Sequence, residues 1–273
     1  MREATGTRPA SLFMFDDRIV WASAGFVGAE TTRPACALLI GAYRKLSITA
    51  ARTQGLKARA VLVAPFVARK LNAERAGFYS LSLDPAHKAC RYLRQQVLQR
   101  RRLLDLSAQL GTAQIKAVTA AIEQPQDCTA SFELSEQLLL HFFPGIEAAP
   151  AIDSRVIGAA AWLREHLPTR VNMRHLAEAC HLSAGRLTHL FSEELGVSIR
   201  SYLRWVKLCK AAELFGRNQS IADVAAAIGF ADSAHLYRVF KTYFSVKPSL
   251  LADRTRVQVR ACGPGRSLAA LAK

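Results

Sequence analysis

LAEACHLSAGRLTHLFSEELGVSIRSYLRWVKLCKAAELF, residues 176–215, is followed, after the four residues 216–219, by SIADVAAAIGFADSAHLYRVFKTYFSVKPSLL, residues 220–251. The two stretches repeat each other. Leu176-Ala177 corresponds to Val224-Ala225 and Leu182 to Phe230 at an offset of 48, whereas Leu187, Phe191, Leu195 and Val197 correspond to Leu236, Phe240, Phe244 and Val246 at an offset of 49. The second copy therefore carries one extra residue between two segments of helical period, and each copy reads as helix, short turn, helix. Leu182 and Phe230 supply the apolar elbow such a pair needs. Ser183 and Asp232 stand where a side-chain oxygen can accept from the first turn of the second helix. Leu187, Leu190 and Phe191 in one copy, and Leu236, Val239 and Phe240 in the other, form an inward stripe. Gly185, Arg186, Thr188 and His189, and Ala234, His235, Tyr237 and Arg238, are left on outward or flanking faces.

Between the copies, SIRSYLRWVKLCKAAELF is about 18 residues long, roughly 27 Å as a helix at about 1.5 Å per residue. That approaches the roughly 34 Å between successive major-groove faces of a duplex, so two joined helix pairs can address adjacent grooves with some bending or adjustment. Further upstream, helix signals cover 154–167 and 172–180, and with 184–195, 198–215, 221–228 and 233–244 they make this half all-α. Residues 144–150, Pro-bounded and holding Gly145 and two alanines, read as an interdomain linker. The first half differs in kind. Short β-rich runs at 17–23, 36–41, 44–50, 58–64 and 78–83 imply a small sandwich or barrel, stopped by Asp84-Pro85. An amphipathic helix is expected over 87–110, with shorter ones at 113–123 and 132–142. Residues 254–273, basic and with Gly263-Pro264-Gly265, are expected to be a flexible tail.

A net charge of +16 in 273 residues favours an acidic partner, with nucleic acid ahead of anionic membrane. The six cysteines are scattered, with no CxxC pair and no zinc-type spacing, so they are expected to be free thiols in a reducing cytosol. No apolar run approaches the ~20 residues of a membrane span, and no secretory leader is read, so a cytoplasmic location without membrane is expected. No histidine precedes His87, which argues against a metal-dependent enzyme in the first half, and no cofactor or metal is expected.

Residues 154–253 resemble the DNA-binding domain of the AraC/XylS family of transcription regulators. The second copy carries the resemblance most specifically, through Ile221, Ala225, Gly229-Phe230, Leu236, Arg238, Phe240-Lys241, Phe244 and Pro248. The resemblance implies that the second helix of each pair meets DNA. The candidate contacts are Gly185, Arg186, Thr188 and His189 in one unit and Ser233, Ala234, Tyr237 and Arg238 in the other. Arg238 is the strongest candidate, for a bidentate bond to guanine, for a phosphate, or for an intramolecular pair. Gly185 offers no side chain to a base and costs helix propensity, while Ser245 and Lys247 stand where the family usually has glycine and often threonine. Residues 60–86, AVLVAPFVARKLNAERAGFYSLSLDPA, are similar to the end of the family's small β-barrel sensor.

The implied architecture is α+β: a cupin-like effector-sensing barrel at 10–86, a helical dimerisation segment and linker at 87–150, the double helix-turn-helix domain at 151–253, then the tail. Trp21, Tyr43, Arg44 and Phe66 are candidate effector contacts, against the plainer readings that aromatics fill small β cores and that strand arginines are solvated. Arg33, Arg44 and Arg59 are considered for an anionic ligand, against the same reading of strand arginines as solvated. The expected partners are double-stranded promoter DNA, a second copy of the chain as a homodimer, and, as candidates, RNA polymerase and a small-molecule effector. A sequence-specific, non-enzymatic transcription regulator is the leading reading. A non-specific architectural DNA binder and an enzyme with an accessory DNA-binding domain are the alternatives, the latter opposed by the absence of clustered cysteines.

Overall fold

The computed structural model describes residues 8–50, 55–124 and 126–263. Two sheets open the chain. The larger is built from β1 (Ala10–Phe15), β2 (Arg18–Ser23), β3 (Cys36–Gly41), β6 (Ala60–Val63), β8 (Phe78–Leu83), β9 (Leu103–Asp105) and β10 (Val257–Gly263) in the order β10-β1-β2-β8-β3-β6-β9. The smaller has the order β5-β4-β7, from β4 (Leu46–Ala50), β5 (Leu56–Ala58) and β7 (Arg69–Asn72). Alternate residues of the large sheet enter two different cores. Leu12, Met14, Ile19, Trp21, Leu39 and Val61 face the small sheet with Leu46, Ile48 and Leu71. Phe13, Val20, Leu38, Leu62, Tyr79 and Leu81 face Leu134, Leu138, Leu139 and Phe142 of a helical layer. Burial on both faces is why CALLIG and AVLV read as unbroken apolar runs rather than alternating strands.

The helical layer comprises α1 (Lys88–Tyr92), which continues as a π-helical turn over Leu93–Leu98, then α2 (Thr112–Glu123) and α3 (Cys128–Phe142). The second half is α4 (Ser154–His166), α5 (Met173–Ala179), α6 (Ala184–Leu195), α7 (Ile199–Gly216), α8 (Ile221–Ala227), α9 (Ser233–Phe244) and α10 (Pro248–Ala252). Here α7 is the axle, with Tyr202, Trp205, Leu208 and Ala211 fully buried among the other helices.

Three expectations are corrected. The helix expected over 87–110 stops at Leu98: Gln99 and Arg100 take left-handed backbone (φ 41° and 74°), and Leu103–Asp105 then pairs with β6. Backbone pairing at an open sheet edge outweighs a helical period that is only approximate there. Within the expected flexible tail, Val257–Gly263 is a strand parallel to β1, with Val257 buried and Val259 packed on the first core; residues 264–273 lie outside the described residues. Alternation of Val257 and Val259 with polar neighbours is a strand pattern, long enough to cap the edge. Finally, Cys128 and Cys262 form a disulfide (Cα–Cα 5.5 Å) joining α3 to β10, while Cys36, Cys90, Cys180 and Cys209 are free. Two cysteines 134 residues apart become neighbours only because β10 returns to the first sheet.

Candidate nucleic-acid interface

The two helix pairs are α5 with α6, and α8 with α9. Their starts are fixed by the side chains that sequence singled out. Ser183 Oγ accepts from Arg186 N (3.3 Å), and Asp232 Oδ1 from His235 N (2.6 Å). One residue more separates α8 from α9 than α5 from α6, which is the change in offset. Leu187 and Phe191, and Leu236 and Phe240, are completely buried, so each outer helix is held by its stripe with the opposite face free. Gly185, Arg186, Thr188 and His189 are all exposed on α6; Ala234 and Arg238 are exposed on α9, with Ser233 and Tyr237 half-buried. Among the described residues Arg238 forms no ion pair, whereas His189 faces Glu193 at 3.5 Å one turn on.

Between the outer helices runs a basic groove absent from the expectations above. Arg170, Arg200, Arg204 and Lys207 line it, with His235 and Phe230 at the α9 end and Met173 and Thr188 at the α6 end. Arg200, Arg204 and Lys207 recur on one face of α7 at spacings of four and three, a signal legible in sequence but masked there by the apolar stripe of the same helix. Three exposed arginines on a concave surface between the two outer helices suit phosphate, which is contacted without regard to sequence, while the buried Lys207 donates to Gly229 O at 3.4 Å.

The C-terminal ends of both outer helices are gripped by the N-terminal half. Arg94 Nη2 donates to the carbonyls of Glu193 and Glu194 in the last turn of α6 (3.0 Å each), and Arg91 pairs with Glu194 at 2.9 Å. A cation on the free carbonyls of a helix end also answers the helix dipole. At α9 the backbone N–H of Thr32 donates to Thr242 O (3.1 Å), and Ser245 Oγ donates to Ala29 O (3.0 Å). Asp84, at the end of β8, accepts from Arg164 (2.9 Å), Tyr202 (3.2 Å) and Trp205 (3.0 Å), pinning α4 and α7 to the sheet.

Of the four residues expected to meet an effector, Trp21 lines a small cavity between the sheets. The others lie apart from it: Tyr43 is exposed and donates to Glu123 (2.9 Å), and Arg44 and Phe66 are on the surface. Arg33 and Arg69 line the cavity instead.

Residues 176–254 match the family model described as a helix-turn-helix domain, so the class of the C-terminal unit is a helix-turn-helix DNA-binding domain. The HTH-type transcriptional activator RhaR of Pectobacterium atrosepticum is 40% identical over 93 residues, which are 34% of this chain and 33% of the relative. The arabinose operon regulatory protein of Escherichia coli (strain K12) is 32% identical over 123 residues, 44% of this chain and 42% of the relative. Through this unit the chain is similar to transcription regulators of the AraC/XylS type. Its alignment spans only a third to under half of the length of these curated relatives. The fold extends the likeness to both halves: the crystal structure of ToxT from Vibrio cholerae O395 superposes with a TM-score of 0.54 at 13% identity, over 85% of this chain and 95% of that one.

Proposed function

We propose that the protein is a sequence-specific transcription regulator that reads promoter DNA with α6 and α9 as the recognition helices of two helix-turn-helix units. The observation that carries this reading is the pair of capped, outward-facing helices joined by the 18-residue α7 with a basic groove between them. Phosphates along the groove set the register, and Arg186, Thr188, His189, Ser233, Ala234, Tyr237 and Arg238 lie toward the base edges. Gly185, with no heavy atom within 4 Å of where a Cβ would stand, lets α6 approach DNA closely but reads nothing itself. We further infer that 10–86 is a cupin-like sensor for a small-molecule effector, that 87–150 serves as dimerisation segment and linker, that 151–253 is the DNA-binding domain, and that the protein acts in the cytoplasm as a homodimer that contacts RNA polymerase and catalyses no reaction.

Selection of preferred duplexes from a randomised pool tests the reading. The expected outcome is a motif of two blocks about one helical turn apart. Arg238→Ala should weaken binding of the winning duplex by about 5- to 150-fold, the equivalent of roughly 1–3 kcal/mol, and relax preference within one block. Binding without an enriched motif, with an equal small loss on every duplex, would overturn it in favour of a charge-driven binder.

A further inference from the structure

Seven buried side-chain polar atoms lack a hydrogen-bond partner among the described residues, and three of them, Trp21 Nε1, Arg33 Nε and Arg69 Nη1, belong to residues lining one cavity between the two sheets. All three are donors. Arg69 is only 3% exposed, and among the described residues no carboxylate pairs with it or with Arg33, whose Nη1 donates to Ser82 Oγ at 3.2 Å. The same chain shows what a satisfied buried arginine looks like. Arg18 is held bidentately by Asp17 (3.0 and 2.8 Å), reaches Glu136 and Ser135, and lies over the Phe132 ring. Burial lowers Arg33 to about 10 and, with the charge of Arg33 added, Arg69 to about 9, so both remain cationic at neutral pH. Two cations and an indole N–H thus converge with no acidic partner of their own, and such buried charges are kept where something pairs with them.

We propose that this cavity is the binding site of a short-chain carboxylate, held by Arg33 and Arg69 with the Trp21 indole as third donor. The inference rests on the reading of the N-terminal half as an effector sensor and supplies the chemical class of that effector. Carboxylate is an acceptor-only group whose planar geometry matches the guanidinium fork. The room is small, about 20 Å³, which limits the occupant to the smallest carboxylates. Ile19, Leu39, Leu71 and Phe78 line the rest, which suits a carbon chain of one to three atoms and disfavours polyols. Phe244 and Ser245, at the end of α9, close the same cavity, and the guanidinium of Arg33 lies 5.7 Å from the Phe244 ring. An anion that draws Arg33 inward therefore alters the seat of the second recognition helix.

Melting curves of the full chain in sodium formate, acetate and propionate, against sodium chloride at equal ionic strength, test the proposal. At a hundredfold excess over Kd a carboxylate should raise Tm by about 5 °C where chloride does not. Arg69→Met should abolish the rise. Trp21→Phe, which keeps the ring and removes only the N–H, should weaken the response about 2- to 10-fold and serves if the arginine variant fails to fold. Equal shifts in all four salts, no shift in any, or a response that survives both substitutions would overturn the carboxylate site. Duplex selection run beside it separates the two readings: a motif without a carboxylate response sinks the site alone, and a carboxylate response without a motif sinks the regulator.

Discussion

Gly185, near the start of α6, and Ser245, at the end of α9, pull in opposite directions. Gly185 sits in the first turn of α6 with open space around its missing Cβ, so Gly185→Ala should stabilise the protein by up to about 1 kcal/mol, read as a rise in Tm. Ser245 caps α9 in left-handed backbone (φ 63°), where Gly196 caps α6 (φ 70°), and its hydroxyl bond to Ala29 compensates a conformation that glycine adopts freely. Sequence comparison marks Ser245 as a departure; its partner 216 residues away lies outside any local pattern. His87 carries the acid sensitivity. Burial, then the charge of Arg18, lowers its pKa from 6.5 to about 4, against the pull of Asp17. Above pH 6.5 the ring is neutral folded or unfolded. As pH falls from 6.5 to about 4, the unfolded chain takes up a proton that the folded ring refuses, so stability should fall by on the order of 3 kcal/mol across that window. Because the ring also caps α1 through Nδ1 and Ala89 N (3.0 Å), His87→Asn keeps a cap and should flatten that part of the pH profile in urea titrations.

Among elements, α6 and α9 run over the residues expected of them from sequence, because capping side chain, apolar stripe and terminal turn agree at each. The strands β2, β3, β4, β6 and β8 were legible as β-rich runs, but β1, β5, β7, β9 and β10 were not, nor was the order of any, since pairing across the chain leaves no local mark. Residues 99–105 show the limit most clearly: arginines at 100–102 and leucines at 103–104 fit a helix as well as a turn and an edge strand, and the choice was made by the free edge of β6. In the site, the exposed faces of α6 and α9 were visible as residues left over from a stripe. Of the cavity arginines, Arg33 was one of three arginines considered for an anion and Arg69 was not singled out, because only tertiary structure reveals whether a strand arginine meets water or an interior. At this scale the Asp84 contact fixes how α4 and α7 sit on the sheet. Asp84→Ala should cost about 2–3 kcal/mol, discounted for the partial exposure of Arg164, and should free the helical half to move, read as faster amide exchange in α7 around Tyr202 and Trp205.

For the whole molecule, both outer helices end on the N-terminal half, one at Arg91 and Arg94 and the other at Ala29 and Thr32, so their separation is set from outside the helical domain. β10 adds a third connection, reinforced by the Cys128–Cys262 disulfide. A chain cut after Arg256 loses that strand and bares β1 along its length; it should melt lower and self-associate at micromolar concentration, measured by light scattering. The same pairing reaches back to the ribosome. β1 is made before its outer neighbour, which emerges roughly 250 residues later, some 12 to 50 s at about 5–20 residues per second. During that interval the nascent sheet carries an unprotected edge, which closes only when β10 arrives.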